Sequence, residues 1–157
     1  MQKGKVDNTL EKMNYTQEDL NDHHGVAVVI KNTGGQILMQ KHIKYGFWTI
    51  PVGKVKLNQS LEEGVREEIF EECNLVVKEM KKLTSKTYEY NRLGKNVKVF
   101  SHLFEALEYS GQMQNKEPEK HREQRFMDLE EIKNLPYLSD LTLLLLSFLG
   151  FNREARL

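Results

Sequence analysis

Six glutamates lie in the thirteen residues from Leu61 to Cys73, directly after a loop that contains Gly53 and Lys54. At about 100° per residue, an α-helix over this segment has one apolar stripe, and Glu68 and Glu72 fall at its edge. Carboxylates held beside apolar neighbours can bind a hard divalent cation such as Mg²⁺ or Mn²⁺. Such an ion neutralises charge on phosphates and activates water, and a spare carboxylate can serve as general base.

The spacing of these glutamates is unfavourable for a helix that serves stability alone. Glu67 and Glu71 form a like-charge i,i+4 pair, as do Glu68 and Glu72. Each pair costs about 0.2–0.5 kcal/mol. Glu71 and Glu72 also lie at the helix C-terminus, where the macrodipole disfavours anions. A bound cation offsets this repulsion, so the pattern favours a metal site over the alternative, a solvated acidic face.

The elements that position these carboxylates are indicated by apolar patterning and turn residues. Ser60 and Glu63 form a capping box at the helix start, and Asn74 suits the left-handed position after its end. The order of the elements, with three strands before the first helix and further strands between it and the last two helices, predicts a mixed sheet with helices packed on it. Strands are predicted over 25–32, 36–42, 47–50, 75–77, 86–91, 96–107 and 123–127, a loop between residues 51 and 58, and further helices after Asp128 and after Ser139 or Asp140.

Composition restricts the possible function classes. The 157 residues suit a single domain over residues 23–157, preceded by a polar N-terminal extension over 1–22. The 23 basic and 23 acidic residues balance, so nucleic-acid polymers and anionic membranes are poor partners. One cysteine, no apolar signal-peptide core and no run of about 20 apolar residues indicate a cytoplasmic protein. Either a monomer or a homodimer is compatible with the sequence.

The segment WTIPVGKVKLNQSLEEGVREEIFEECNL resembles the Nudix box of MutT-type pyrophosphohydrolases. Gly53 and the pair Glu71–Glu72 fix the alignment. Upstream, GVAVVIKNTGGQILMQKH resembles the opening hairpin of that family, and NKEPEKHREQRFMDLEEIKNLP resembles the late segment of its nucleoside-triphosphate-acting branch. The box departs from the family pattern at Gln59, Glu67 and Asn74, where Glu, Arg and Gly are expected.

The resemblance implies an α/β/α sandwich with a mixed β-sheet that hydrolyses a nucleotide diphosphate linkage with Mg²⁺ or Mn²⁺. Glu68 and Glu72 would be catalytic and, with Glu71, would bind the metal. The family often supplies a further acidic ligand from a later loop; we expect Glu119, with Glu117 as the less favoured choice, and an exposed loop charge is the alternative for Glu119.

Three residues near the predicted cleft are candidates for contact with a nucleotide substrate: Lys41, Gly53 and Lys54. For Lys41 a solvated strand end is the alternative. Because Gln59 and Glu67 depart from the box, a second functional interpretation stays open. In it, the chain is a nucleotide-binding or regulatory module with impaired catalysis.

Overall fold

The computed structural model describes residues 5–6 and 15–152. It contains eight strands, three α-helices and a short 3₁₀ turn at Glu18–Leu20 among these residues. The elements are β1 (Lys5–Val6), β2 (His23–Val29), β3 (Ile37–His42), β4 (Trp48–Thr49), β5 (Val52–Lys54), α1 (Leu61–Cys73), β6 (Val76–Arg92), β7 (Lys95–Ser110), β8 (His121–Met127), α2 (Leu129–Lys133) and α3 (Asp140–Phe148).

The described strands form two sheets, where the sequence predicted one. The larger sheet has the order β1-β6-β7-β2-β5 and is mixed, because β2 runs parallel to β7 and β1 runs parallel to β6. The smaller sheet, β4-β3-β8, is antiparallel. β2 and β3 were predicted to pair as a hairpin. Instead they diverge into different sheets after the bridge between Lys31 and Ile37.

Side-chain alternation along the strands divides the core into two layers. Val26, Val28 and Leu38 pack with α1, and Ala27 and Val29 pack on the opposite side with α3. By the same alternation, Gln40 of β3 lies on the α1 side and Lys41 on the α3 side. Helices therefore cover both sides of the sheets, as the predicted α/β/α arrangement requires.

Local signals fixed the ends of α1 as the sequence predicted. Ser60 Oγ accepts a hydrogen bond from the Glu63 amide at 3.0 Å, and Glu63 Oε1 accepts one from the Ser60 amide at 2.9 Å. Asn74 ends the helix in the left-handed conformation with φ of 62°. Its side-chain amide donates to the Gln112 carbonyl at 3.1 Å, and this contact ties the helix end to the loop before β8.

Several boundaries differ from the prediction. Residues 52–54 form strand β5 instead of a loop, because they pair with β2 across Gly25 to Ala27. The two segments predicted as separate strands over 75–77 and 86–91 belong to one long strand, β6, which bulges between Val77 and Thr84. In the described part of the chain no helix is long and apolar enough to cross a bilayer. Most of the predicted N-terminal extension lies outside the described residues.

Candidate active site

The site lies where the inward side of α1 meets β5 and β3. Gly53 on β5 passes directly beneath Glu68. A Cβ on residue 53 would overlap with Cγ and Cδ of Glu68 and would lie 2.5 Å from its Oε2. The glycine is therefore required for close approach, and it allows the Glu68 carboxylate to lie against the backbone of β5.

Glu72 lies one helical turn further on and is 3% exposed. Gln40 on β3 donates from Nε2 to Glu72 Oε1 at 2.9 Å. The neighbouring strand β8 holds Gln40 in turn, since Gln124 Nε2 donates to Gln40 Oε1 at 2.7 Å. Gln124 Nε2 also lies 3.1 Å from the Glu72 carbonyl oxygen. This amide relay fixes one oxygen of the Glu72 carboxylate.

Glu68 and Glu72 are neighbouring carboxyl groups, and each affects the pKa of the other. Burial raises the pKa of Glu68, and burial and the Glu68 carboxyl together raise the pKa of Glu72 well above its usual range. The Gln40 amide acts in the opposite direction on Glu72 without cancelling the effect. Within residues 15–152, no lysine or arginine forms an ion pair with Glu68, Glu71 or Glu72. Among the described residues, these three glutamates of α1 therefore lie close together without a lysine or arginine partner.

The loop before β8 brings a further carboxylate to this position. Backbone amides of Gln114 and Lys116 donate to the Cys73 and Glu72 carbonyl oxygens at 2.9 and 3.2 Å, which satisfies the end of α1. Glu117 follows directly and joins Glu72 and His121 in a cluster whose ligand atoms lie within 4.8 Å of one another.

A second cluster of the same kind, within the described residues, consists of Glu67, Glu68 and Glu71. It lies on the more exposed side of α1. Glu119, the residue favoured from sequence, is exposed and belongs to neither cluster. The geometry therefore favours Glu117 as the acidic residue from the late loop.

His121 and His42 form the inner wall of the site. Their rings meet edge-on with centroids 5.7 Å apart. Burial lowers the pKa of His121, and burial together with the nearby His121 lowers the pKa of His42 to about 4. Both imidazoles are therefore neutral at neutral pH.

Of the three substrate-binding candidates, only Gly53 lies at the carboxylates. Lys41 shares the α3 side of β3 with Met39, and its Nζ lies 5.8 Å from the centre of the Trp48 ring. Lys54 Nζ forms an ion pair with Asp19 Oδ1 at 2.8 Å, on the side of β5 that faces away from Glu68. Adjacent strand residues point to opposite faces, so the position next to Gly53 cannot reach the same site.

The residues that depart from the Nudix box have local partners. Glu67 forms an ion pair with Lys56. Gln59 Oε1 accepts the Lys56 amide at 3.0 Å and closes the loop before α1. Arg66 donates to the Val77 and Lys78 carbonyl oxygens, so it does not take the place of the arginine expected at position 67.

Sequence reasoning missed Gln40, His121 and Gln124. One signal was available for Gln40, since it continues the inward alternation of Leu38 within an apolar strand. For His121 and Gln124 no local pattern marks the contact, which depends on the pairing of β3 with β8.

The donor set fits a divalent metal ion. Mg²⁺ and Mn²⁺ favour carboxylate oxygens, and the described residues offer them in two groups, Glu72 and Glu117 with His121, and Glu68 and Glu71 with Glu67. Burial raises the pKa of Glu68, which is half-buried, and of Glu72, which is buried. Their repulsion is the kind that a bound cation relieves.

Residues 21–143 match the family model described as NUDIX domain. A curated relative called RNA pyrophosphohydrolase, from Hamiltonella defensa subsp. Acyrthosiphon pisum (strain 5AT), is 40% identical over 63 residues, which cover 40% of this chain and 39% of the relative. The chain thus matches about two fifths of that relative's length.

Solved structures show the same fold. The crystal structure of a MutT NUDIX hydrolase from Burkholderia pseudomallei superposes with a TM-score of 0.67 and 24% identity, covering 83% of this chain and 99% of that one. The NUDIX domain of Shewanella oneidensis NrtR, complexed with ADP ribose, superposes with a TM-score of 0.64 and 17% identity, covering 87% and 92%.

Proposed function

The chain belongs to the NUDIX family, and from that premise we propose that it hydrolyses a diphosphate linkage in a nucleoside triphosphate or a related nucleotide. Water attacks at phosphorus, and the reaction depends on Mg²⁺ or Mn²⁺. The cytoplasm is the expected compartment, since it supplies both the nucleotides and the reducing conditions that suit the single cysteine.

One observation carries this proposal. Glu68 and Glu72 are brought together on the inward side of α1, over a glycine whose missing side chain makes room for Glu68. Burial raises both pKa values, and no lysine or arginine in residues 15–152 forms an ion pair with either. An arrangement that costs stability in this way is typical of a functional site.

The side chains of the site would have different roles in the reaction. Glu68, Glu71, Glu72 and Glu117 would hold the metal, which when bound neutralises phosphate charge and lowers the pKa of water. Glu68 would accept the proton of the attacking water at a carboxylate oxygen. Gln40 keeps Glu72 oriented through the hydrogen bond to Oε1.

Phosphate contacts must come from groups other than the two lysines first considered. Lys41 lies on the opposite side of β3, and Lys54 is paired with Asp19. Lys120 is the nearer cation, because it forms an ion pair with Glu117 at 3.3 Å and its side chain is 59% exposed.

The experiment is a screen of substrates with Mg²⁺ and with Mn²⁺. Ribo- and deoxyribonucleoside triphosphates, ADP ribose and a 5′-triphosphorylated oligonucleotide are tested for release of phosphate, pyrophosphate or nucleotide. The oligonucleotide is included because the curated relative is named for RNA. We expect turnover of at least one mononucleotide.

Glu72→Gln is the matching variant. It keeps the shape of the side chain but removes a charge at the metal, so we expect turnover to fall by about 10²–10⁴-fold and the Mg²⁺-dependent rise in melting temperature to disappear. Glu62→Gln, an exposed change on the same helix, should alter neither. Equal turnover by Glu72→Gln and the unmodified protein would contradict the proposed site.

The second candidate is a nucleotide-binding module with little catalysis. Glu67, which stands where the family has arginine and is paired with Lys56, favours it. Calorimetry with the same panel separates the two, because nucleotide binding without product release supports the module. Product release supports the enzyme.

A further inference from the structure

We propose that His121 supplies a nitrogen ligand to the metal centre, which gives its inner half, with Glu72 and Glu117, a preference for transition-metal ions such as Co²⁺ over Mg²⁺. This inference rests on the proposed function, since it concerns the metal that the same carboxylates would hold. The outer cluster of Glu67, Glu68 and Glu71 offers oxygen ligands alone.

The spacing of the donor atoms supports this assignment. A nitrogen of His121 lies with carboxylate oxygens of Glu72 and Glu117 within 4.8 Å, and Nε2 is 3.9 Å from Glu72 Oε1. Donors bound to one ion at about 2.0–2.2 Å can be separated by up to about 4.3 Å. Glu72 and His121 therefore already have a separation suited to a shared ion, and Glu117 needs only a side-chain adjustment.

His121 is buried, with only 5% of its surface exposed, yet its ring forms no short hydrogen bond with the described residues. Its Nδ1 is buried and has no hydrogen-bond partner among the described residues. Its Nε2 has one contact, with Gln40 Nε2 at 3.5 Å, which is longer than an ordinary hydrogen bond. The neighbouring residue Asn115 bonds the backbone carbonyl of His121 instead of the ring. Buried polar atoms ordinarily have a partner, so this imidazole is available to bind an ion.

The ring is also held in position before any ion binds. The backbone of His121, the first residue of β8, pairs with the backbone of His42 on β3, and this pairing does not depend on the His42 ring. Gln40 donates to Glu72 Oε1 at 2.9 Å, and the second lone pair of that carboxylate oxygen can still bind an ion. Partners that orient ligands in this way are typical of metal sites.

The chemistry of the donors predicts the selectivity. Imidazole suits transition metals, whereas Mg²⁺ favours oxygen ligands and water. For a site with both donors, affinity rises from Mn²⁺ to Co²⁺. A centre made of carboxylates alone would lack this advantage over Mg²⁺.

The first test uses Mn²⁺ as a spin probe on the full chain. Electron spin-echo envelope modulation should show coupling to ¹⁴N in the unmodified protein, and labelling with ¹⁵N-histidine should replace that signal without altering the structure. His121→Gln should abolish the coupling, and His42→Gln, which changes the adjacent ring, should retain it.

The second test measures metal affinity by calorimetry. His121→Gln should weaken Co²⁺ binding by about 10- to 100-fold and change Mg²⁺ binding much less, whereas His42→Gln should leave the Co²⁺-to-Mg²⁺ ratio unchanged. Bound Mn²⁺ without nitrogen coupling, or an unchanged ratio in His121→Gln, would overturn the inference and leave the proposed function intact. Failure of any metal to bind at Glu72 would instead contradict the proposed function.

Discussion

The helices α1 and α3 cover opposite sides of the same sheets, yet their buried polar groups differ. Near α3, Ser139 Oγ donates to Thr49 Oγ1 at 2.8 Å, and Thr142 Oγ1 accepts the Ile50 amide at 3.0 Å. On the α1 side, Glu68 and Glu72 face each other with raised pKa values. His121 Nδ1 and Gln124 Oε1 are buried there and have no hydrogen-bond partner in the part of the chain that the structure describes.

This difference between the two sides indicates that one contributes to stability and the other to binding. The hydroxyl groups of Thr49, Ser139 and Thr142 satisfy one another, so these buried polar groups near α3 need no ligand. The carboxylates of α1 cannot satisfy one another in the charged form, and the polar atoms around them are left over. We infer that α3 contributes stability without a ligand, whereas the α1 side reaches its most stable arrangement only when it binds a cation.

The largest expected effect tests the α3 side. Leu145→Ala removes a side chain that is 1% exposed and should lower the free energy of unfolding by about 2–5 kcal/mol. The rise in melting temperature caused by Mg²⁺ should be unchanged, because the site lies on the opposite side of the sheet. Chemical denaturation with and without Mg²⁺ measures both quantities. Loss of the Mg²⁺-dependent rise in melting temperature in the folded variant would contradict the inference that the α3 side does not affect metal binding.

The second prediction concerns the close approach at β5. Gly53→Ala places a methyl group against Glu68, so we expect a loss of about 1–3 kcal/mol in stability and weaker metal binding. Gly34→Ala is the matched control, since its Cβ would meet nothing closer than the Asn32 side chain at 3.5 Å. Thermal melts and Mg²⁺ titration distinguish them. Normal metal affinity in Gly53→Ala would show that Glu68 can bind from another position.

The third prediction follows from the raised pKa values. Glu68 and Glu72 bind protons in the fold at pH values where the unfolded chain, with pKa near 4.5, has released them. The contribution of these two groups to the stability of the metal-free protein is thus fully present below about pH 4.5 and is lost as pH rises through their folded-state pKa values. A tenfold difference in proton affinity between the folded and the unfolded chain corresponds to about 1.4 kcal/mol of stability.

Melting temperatures across pH 4 to 8 test this dependence, with and without Mg²⁺. Because the ion binds the deprotonated carboxylates, its stabilising effect should grow as pH rises. Glu72→Gln should flatten the metal-free profile. An identical profile in that variant would mean that other groups determine the pH dependence.

The smallest expected effect is at the positions that depart from the Nudix box. Gln59→Glu with Glu67→Arg should raise turnover if those departures limit catalysis. Stability should change little, because the Glu67 pair with Lys56 lies at the surface. Steady-state kinetics with the best substrate of the screen measures the change. Unaltered turnover would show that the local partners of these residues already compensate.

The sequence alone predicted the parts of the site that local rules govern. The capping box at Ser60, the left-handed Asn74 and the inward placement of Glu72 all depend on contacts within a few residues. Helical periodicity therefore determined which glutamates approach the core before any tertiary contact was known. The resemblance of the box then indicated the family that the family model confirms.

Only the tertiary structure decided which other residues reach those glutamates. Gln40 and Gln124 are 84 positions apart and meet because β3 pairs with β8. Glu117 approaches the cluster because the loop before β8 bonds to the end of α1, and Lys41 and Lys54 point away because strand pairing fixed the face of each. Local sequence preferences determine the geometry along one helix or strand, whereas the register between distant strands determines which side chains share a site.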